Sequence, residues 1–224
     1  MKRLVKILLG LALVPFCLGF TWQFGATVFS VAYRPGAPYY FFAGGLAYMT
    51  VHLLFKKPVF AYVMGHELTH ALFAVLFGGS VKSLQASERG GRVTLTRSNF
   101  LITLAPYFFP LYAFIALLLY AAARAAGVGP GVVAALIFIS GAAFAFHLAL
   151  TFIFLQADQT DISEQGALFS YPLIYLFNIA FAALLVDMCL ARDMDYLTFL
   201  AGGIIKSADM IGVLFKKVFL VFRS

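Results

Sequence analysis

Charged residues are scarce in this chain. Asp, Glu, Lys and Arg together make up 11% of its 224 residues, whereas hydrophobic residues make up 63%. Soluble domains usually contain about 25% charged residues and about 45–50% apolar residues, so a water-soluble fold of this size is excluded. The composition instead predicts a protein whose solvent is the lipid bilayer.

Acidic residues and cysteines are the scarcest groups that carry chemistry. The 9 acidic residues are outnumbered by 16 basic ones, which gives a net charge of +7. The basic residues are spread between apolar segments rather than gathered on one polar face, which favours contact with lipid head groups and excludes nucleic acid as a partner. The two cysteines, Cys17 and Cys189, lie in or beside apolar stretches, as buried hydrophobic residues do, and form no metal-binding motif.

Long apolar segments dominate what remains. A helix needs roughly 20 residues to cross the hydrocarbon core, and most of the six apolar segments reach that length. They comprise residues 7–31, 39–55, 59–77, 100–123, 132–155 and 168–190. We therefore predict an all-α membrane protein with about six transmembrane helices. The first segment continues to about residue 29 without a cleavage site, so we expect a retained span rather than a signal peptide.

Residues 80–97, between the third and fourth segments, differ in kind. Polar and apolar residues alternate around Val93 and Leu95, and Gly90-Gly91 provides a turn. This pattern predicts a short β-hairpin, with an exposed loop as the alternative.

The chain divides into a single membrane domain, residues 1–205, and a basic tail, residues 206–224. Residues 197–205 are apolar but too short to span, and the tail mixes Lys and Arg with Phe, as an amphipathic helix on a membrane surface does.

Orientation follows from the basic residues. With six spans, the regions on the outer side hold Arg34, Lys82, Arg89, Arg92 and Arg97, and the remaining 11 of the 16 basic residues lie on the inner side. This bias predicts a multi-pass membrane protein with both termini in the cytoplasm, and we expect the membrane to be the plasma membrane.

The third apolar segment carries His66-Glu67-Leu68-Thr69-His70, which matches the pattern H-E-x-x-H. Residues four apart share one face of a helix, so both imidazoles can bind one zinc ion. Glu67 is next to the first ligand, where it can take a proton from zinc-bound water. Histidines and a glutamate are costly inside an apolar helix, so the pattern indicates a functional site.

A catalytic zinc usually has three protein ligands and one water. Candidates for the third ligand are the acids that follow the fifth segment, namely Asp158, Asp161 and Glu164. We favour Asp161, whose carboxylate would complete a site of two nitrogens and one oxygen. Asp158 is a candidate for orienting a histidine or for an alternative ligand. His147, inside the fifth segment, is a candidate for stabilising the oxyanion or bonding Asp158, although polar residues there also commonly link helices.

These features resemble the site-2 protease family of intramembrane zinc metalloproteases. The resemblance depends on GHELTH at Gly65–His70, on FGG at Phe77–Gly79, on the hairpin and on a distal aspartate. The family's distal motif is absent in its usual form, and Gln159-Thr160-Asp161-Ile162 stands in its place. The resemblance implies regulated cleavage of membrane-embedded protein substrates, with Asp161 as the third zinc ligand.

Two other functions fit the sequence. A membrane zincin that cuts at the membrane surface would use Glu164 as its third ligand, and a scaffold or transporter subunit would have no catalysis.

An intramembrane protease must also unwind its substrate, because an α-helical substrate hides its carbonyls in hydrogen bonds. We expect the substrate to be held extended, by strand addition to residues 93–96.

Overall fold

A computed structural model describes residues 3–32, 36–157, 159–190 and 195–221. Helices dominate this part of the chain, with one pair of strands between them. In chain order the elements are α1 (Arg3–Ala32), α2 (Ala37–Leu54), α3 (Val59–Leu76), β1 (Val81–Ser87), β2 (Gly90–Leu95), α4 (Phe100–Phe108), α5 (Leu111–Ala125), α6 (Pro130–Leu155), α7 (Thr160–Gln165), α8 (Ala167–Leu185) and α9 (Tyr196–Val221). A π-helical turn, Val186–Leu190, continues α8.

Five helices in the described ranges are long and apolar enough to cross a membrane. They are α1, α3, α6, α8 with its π-helical turn, and α9. A sixth candidate is the pair α4 and α5, whose axes are bent by 72° at a short break. The predicted class, a helical membrane protein with about six spans and a small hairpin, is confirmed.

The set of candidate spans differs from the predicted set at two places. The second predicted segment forms α2, whose tyrosines, Pro38 and His52 keep its mean hydropathy below that of the candidates. The expectation that residues 197–205 are too short to span is wrong, because α9 continues past Lys206 and provides a candidate span over Tyr196–Val213. The predicted boundary between domain and tail falls inside this helix, and the division itself stays a prediction.

The described chain forms two compact units, residues 1–34 with 165–224, and residues 35–164. In the first unit α1 and α8 run parallel, since Gly10 meets Leu168 and Thr21 bonds Tyr175 at 2.6 Å. α9 runs antiparallel to α1, and Phe199 packs edge-on against the ring of Phe20 at 5.8 Å between centroids.

In the second unit α2 and α6 run parallel and in close contact. Gly44 lies against the carbonyl of Phe138, and Gly141 lies against the carbonyl of Phe41. Glycine at these points lets the two backbones approach, as small residues do between membrane helices. Further along both helices, Tyr48 packs edge-on against Phe146 at 5.5 Å.

α3 runs in the opposite direction to α6. Tyr62, in the first turn of α3, stacks on Phe154 near the end of α6 at 4.5 Å, and a buried cluster joins Tyr62 and Val63 to Leu150. The start of α3 and the end of α6 therefore lie at the same end of this unit. If both helices cross the membrane, residues 77–129 begin and end on one side, which fits a re-entrant α4–α5 pair better than the single crossing predicted for residues 100–123.

The break in that pair has a local cause. Phe109 is extended, with φ −101° and ψ 103°, and Pro110 directly precedes α5 as its N-cap residue. Proline disfavours helical geometry in the residue before it and donates no backbone hydrogen bond, so α4 ends at Phe108. Pro106, by contrast, lies within α4, and it does not break that helix.

The predicted hairpin is confirmed. β1 and β2 pair antiparallel with Leu84 opposite Val93 and Ala86 opposite Gly91, and a register irregularity lies between Val81 and Ser83. The hairpin lies along α3. Its base follows the end of that helix, whereas Glu88 at its tip pairs with Lys56, just before α3 begins, at 2.9 Å. The strands therefore cover α3 over most of its length instead of projecting from the bundle as a loop.

Candidate metal centre

His66 and His70 lie one helical turn apart on α3, as their spacing predicts. Their rings meet edge to face at 4.8 Å between centroids, and Glu67 and His70 are buried, with exposed fractions of 7% and 8%. An apolar helix holds these polar side chains on the face that it turns toward the hairpin and α4. The three residues of the motif are therefore brought to one site.

Asp161 reaches the same site from α7. Its Oδ2 atom lies 3.5 Å from Nε2 of His66 and 3.4 Å from Nε2 of His70. One ligand atom from each of the three residues lies within 4.8 Å of the others. Because α6 ends beside the start of α3, a helix that follows α6 within a few residues can bring Asp161 to the motif.

These separations fit a metal ion. Ordinary N–H···O hydrogen bonds measure about 2.7–3.2 Å, which is shorter than either distance. A tetrahedral zinc ion holds nitrogen and oxygen ligands at about 2.0–2.2 Å, which places neighbouring ligand atoms roughly 3.3–3.6 Å apart. Two neutral imidazoles and one carboxylate are also a donor set that zinc accepts. The group could therefore hold a zinc ion.

The two imidazoles are fixed in different ways. Nδ1 of His70 lies 2.8 Å from the carbonyl oxygen of Ile102, so Nδ1 donates to that oxygen and Nε2 is the ring nitrogen that faces Asp161. Nδ1 of His66 is buried without a hydrogen-bond partner in the described ranges. Ring contacts hold that imidazole instead, with centroids 6.0 Å from Tyr62 and 5.1 Å from Tyr107.

Asp161 is ionised in this environment. Burial acts to raise the pKa of its carboxyl, but the adjacent imidazoles of His66 and His70 outweigh burial and hold that pKa well below its usual range. The hydroxyl of Tyr107 also donates a hydrogen bond of 3.0 Å to Oδ2 of Asp161. A carboxylate kept charged among imidazoles is the form in which an aspartate binds a metal.

Glu67 is covered by the hairpin. A Cβ atom at Gly91 would lie 2.6 Å from Oε1 of Glu67 and 2.7 Å from Cγ1 of Val63, so any other residue at this position would force these side chains or the strand to shift. Glu67 and the three candidate ligands line a cavity of about 770 Å³. Its other walls come from residues 89–93 and 95–98, from Ile102 and Thr103, and from α7.

The remaining predicted residues lie elsewhere. Asp158 is outside the described residues. Glu164 is on α7 and lines the large cavity, but it does not belong to the group of three that could hold a metal. His147 is buried on α6 and lines a separate cavity of about 20 Å³ on the other side of His66, so its role stays a prediction.

Two contributors to the site escaped the sequence reasoning. Tyr107 belongs to an apolar segment, where a tyrosine is common and indicates no function, and Gly91 was assigned only to a turn. The single available signal was a phenolic hydroxyl within an apolar run, which needs a hydrogen-bond partner when it is buried.

Comparison with known proteins supports the same conclusion. The model of the Peptidase M50B-like family matches residues 41–157, which is 117 of the 224 residues. The match includes the H-E-x-x-H motif and the hairpin but ends before Asp161. No curated protein and no solved structure gives a significant match. Since the family model covers more than half of the chain, the protein belongs to the Peptidase M50B-like family of membrane metallopeptidases, the site-2 protease family that its GHELTH sequence resembles.

Proposed function

We propose that the protein is an intramembrane zinc endopeptidase that cuts membrane-embedded protein substrates, with His66, His70 and Asp161 as metal ligands and Glu67 as the general base. One observation carries the proposal. Nε2 of both histidines lies at 3.4–3.5 Å from a single carboxylate oxygen, the spacing expected around a tetrahedral ion.

The residues of the chain have separate tasks in this reaction. A bound zinc ion supplies a Lewis acid that polarises the scissile carbonyl and acidifies water. Glu67, beside the ligands and facing the cavity, accepts the proton of the attacking water and delivers it to the leaving amine. The hairpin and α4 shield this carboxylate from lipid, and the large cavity admits water.

The hairpin supports a way of holding the substrate. Residues of β2 line the large cavity, whereas none from the described strand β1 does. Strand β2 therefore turns its unpaired edge toward the site. An unwound substrate segment that added to this edge would present its backbone, rather than a helix, to Glu67.

The alternative metal site is less well supported. A surface-cutting zincin would need Glu164 beside the histidines, but that side chain is exposed and outside the compact group of three. A scaffold without catalysis would have no reason to bury an intact pair of histidines with Glu67.

Helix directions support an orientation. α2 and α6 run opposite to α3, and residues 77–129 return to the side they leave, so we take α1, α2, α3, α6, α8 and α9 as six crossings. Both termini then lie on one side, which the basic residues near the N-terminus and Lys56 assign to the cytoplasm of a plasma-membrane protein. Asp161 and the first half of α3 lie toward that same side.

Metal content tests the ligand set. We expect one zinc ion per chain in the purified protein and in Glu67→Gln, because Glu67 does not bind the metal. Asp161→Ala should lose most of it, and Glu164→Ala should keep it. Elemental analysis of protein in detergent measures all four, and zinc lost from Glu164→Ala but kept by Asp161→Ala would favour the surface-cutting zincin.

Cleavage tests the reaction. Single-span peptides with a fluorophore and a quencher on opposite sides of the span provide the substrates. Loss of a general base typically costs about 10²–10⁴-fold in rate, so Glu67→Gln should be nearly inactive although it is fully loaded with zinc. Cleavage by this variant at the wild-type rate would exclude the role proposed for Glu67.

A further inference from the structure

Tyr107 is the side chain that touches two of the three candidate ligands. It lies in the last turn of α4, directly after Pro106, and it is fully buried. Its ring meets the imidazole of His66 edge to face at 5.1 Å. Its hydroxyl lies 3.0 Å from Oδ2 of Asp161, the same oxygen that faces both histidines.

The hydroxyl has one proton, and side-chain oxygens of both Gln159 and Asp161 lie within reach of it. Oε1 of Gln159 lies at 3.3 Å, farther than the oxygen of Asp161. An ionised carboxylate accepts a stronger hydrogen bond than a neutral amide does. The proton is therefore donated to Asp161.

Asp161 needs such an anchor because its own element is weak. α7 has six residues, whereas His66 and His70 belong to the 18-residue helix α3. An isolated helix this short has little stability of its own. Within the described ranges, the hydrogen bond from Tyr107 connects Asp161 to α4.

His66 needs the aromatic contact for a related reason. Its Nδ1 atom makes no hydrogen bond in the described ranges, whereas Nδ1 of His70 is fixed by Ile102. The orientation of the His66 ring consequently depends on its aromatic neighbours, of which Tyr107 is nearer than Tyr62.

We infer that Tyr107 is a positioning residue of the metal site, whose hydroxyl holds Asp161 at the depth of the two histidines while its ring orients His66. The inference rests on the proposed function, in which these three residues bind zinc. It makes the bent α4–α5 pair part of the metal site, although that pair supplies no ligand.

Metal affinity in Tyr107→Phe tests this inference. The substitution keeps the ring and removes only the hydroxyl. Loss of a hydrogen bond to a metal ligand typically weakens metal affinity 10–100-fold, so we expect the dissociation constant for Co²⁺ to rise by about that factor. The measurement is a Co²⁺ titration of metal-stripped, detergent-solubilised full-length protein against a competing chelator.

Two variants serve as controls. Tyr112→Phe removes a hydroxyl that donates to the carbonyl of Ala61 in α3 at 2.7 Å and is bonded to none of the candidate ligands that the structure describes. Gln159→Leu removes the competing acceptor. Both should bind Co²⁺ with wild-type affinity. At saturating Co²⁺, the visible spectrum of Tyr107→Phe should also differ from that of the wild type, because the carboxylate is less firmly held, and a loss of packing alone would not change it.

Each result has a defined reading. Wild-type affinity in Tyr107→Phe would overturn the inference and leave the proposed function intact. An equal loss of Co²⁺ affinity in Tyr112→Phe would attribute the effect to general packing. An equal loss of affinity in Gln159→Leu would indicate that the hydroxyl donates to Gln159 instead of Asp161. Failure of the wild type and of Glu67→Gln to bind any Co²⁺ would count against the proposed function itself.

Discussion

At the scale of single residues, the contact between Glu67 and Gly91 is the most restrictive in the site. Gly91 is opposite Ala86 in the hairpin, and both lie on the strand face that packs against α3. The absent side chain is what lets β2 descend onto the carboxylate of Glu67. The position of the Glu67 carboxylate therefore depends on the backbone of β2 as well as on its own helix, α3.

Gly91→Ala should lower the rate of cleavage without removing the metal. The new methyl group would overlap Glu67 and Val63, so either the carboxylate or the strand must move. Displacement of a catalytic group by about 1 Å can cost roughly 100-fold, and we expect a 10–100-fold fall in kcat for the quenched single-span peptides. Gly131→Ala, where nothing lies within 4 Å, is the matched control and should keep full activity.

The opposite result is equally informative. If Gly91→Ala cleaves at the wild-type rate, the hairpin yields easily and does not position Glu67. If it loses zinc, the strand supports the ligands as well as the base.

The placement of individual residues was predictable where it depends on local spacing. The i and i+4 positions of His66 and His70 fix a shared helix face, and Glu67 follows from its place between them. Asp161 could be named from its acidity and location alone, but nothing local showed that it reaches the histidines. Tyr107 and Gly91 act across 54 and 24 residues of chain, and such pairings come from tertiary packing.

At the scale of elements, the hairpin does more than connect α3 to α4. Alternating residues predict its two strands and its turn. They do not predict that its tip returns to Lys56. Alternation defines which face of the hairpin is apolar, but it does not define which element packs against that face. In the structure the partner is α3, and the outer edge of β2 borders the large cavity.

Val93→Pro combined with Leu95→Pro should weaken substrate cleavage while zinc stays bound. Proline has no backbone N–H to offer an added strand. Each lost hydrogen bond is worth about 1 kcal/mol, so two together predict roughly a 10–30-fold loss in kcat/KM. Lys82→Pro is the matched control, since it changes the irregular part of β1, away from the cavity, where proline is tolerated.

Zinc analysis separates a binding defect from unfolding of the site. Cleavage at the wild-type rate by the double variant would dismiss strand addition. Equal losses in the double variant and in Lys82→Pro would indicate that the hairpin matters only as a folded cover.

At the scale of the whole molecule, the directions of the helices determine the side of the membrane toward which the site lies. Apolar length predicts how many segments can cross but not whether the chain between two of them returns. The six-span interpretation treated residues 100–123 as one crossing, which would separate the beginning of α3 from the end of α6. The stacking of Tyr62 on Phe154 removes that separation, because it brings those two helix ends together.

Labelling of single cysteines can test this arrangement. In a chain with Cys17 and Cys189 replaced by serine, Lys82→Cys, before the bent pair, and Val128→Cys, after it, should both react with a membrane-impermeant maleimide added outside intact cells. Lys57→Cys and Gln156→Cys should react only after the cells are opened, because the proposed orientation puts these ends of α3 and α6 in the cytoplasm. If α4 and α5 formed a single crossing, Lys82→Cys and Val128→Cys would react from opposite sides. Labelling of both from outside would instead establish that the bent pair enters and leaves on one side, which is what allows Asp161 to reach the histidines from the cytoplasmic end.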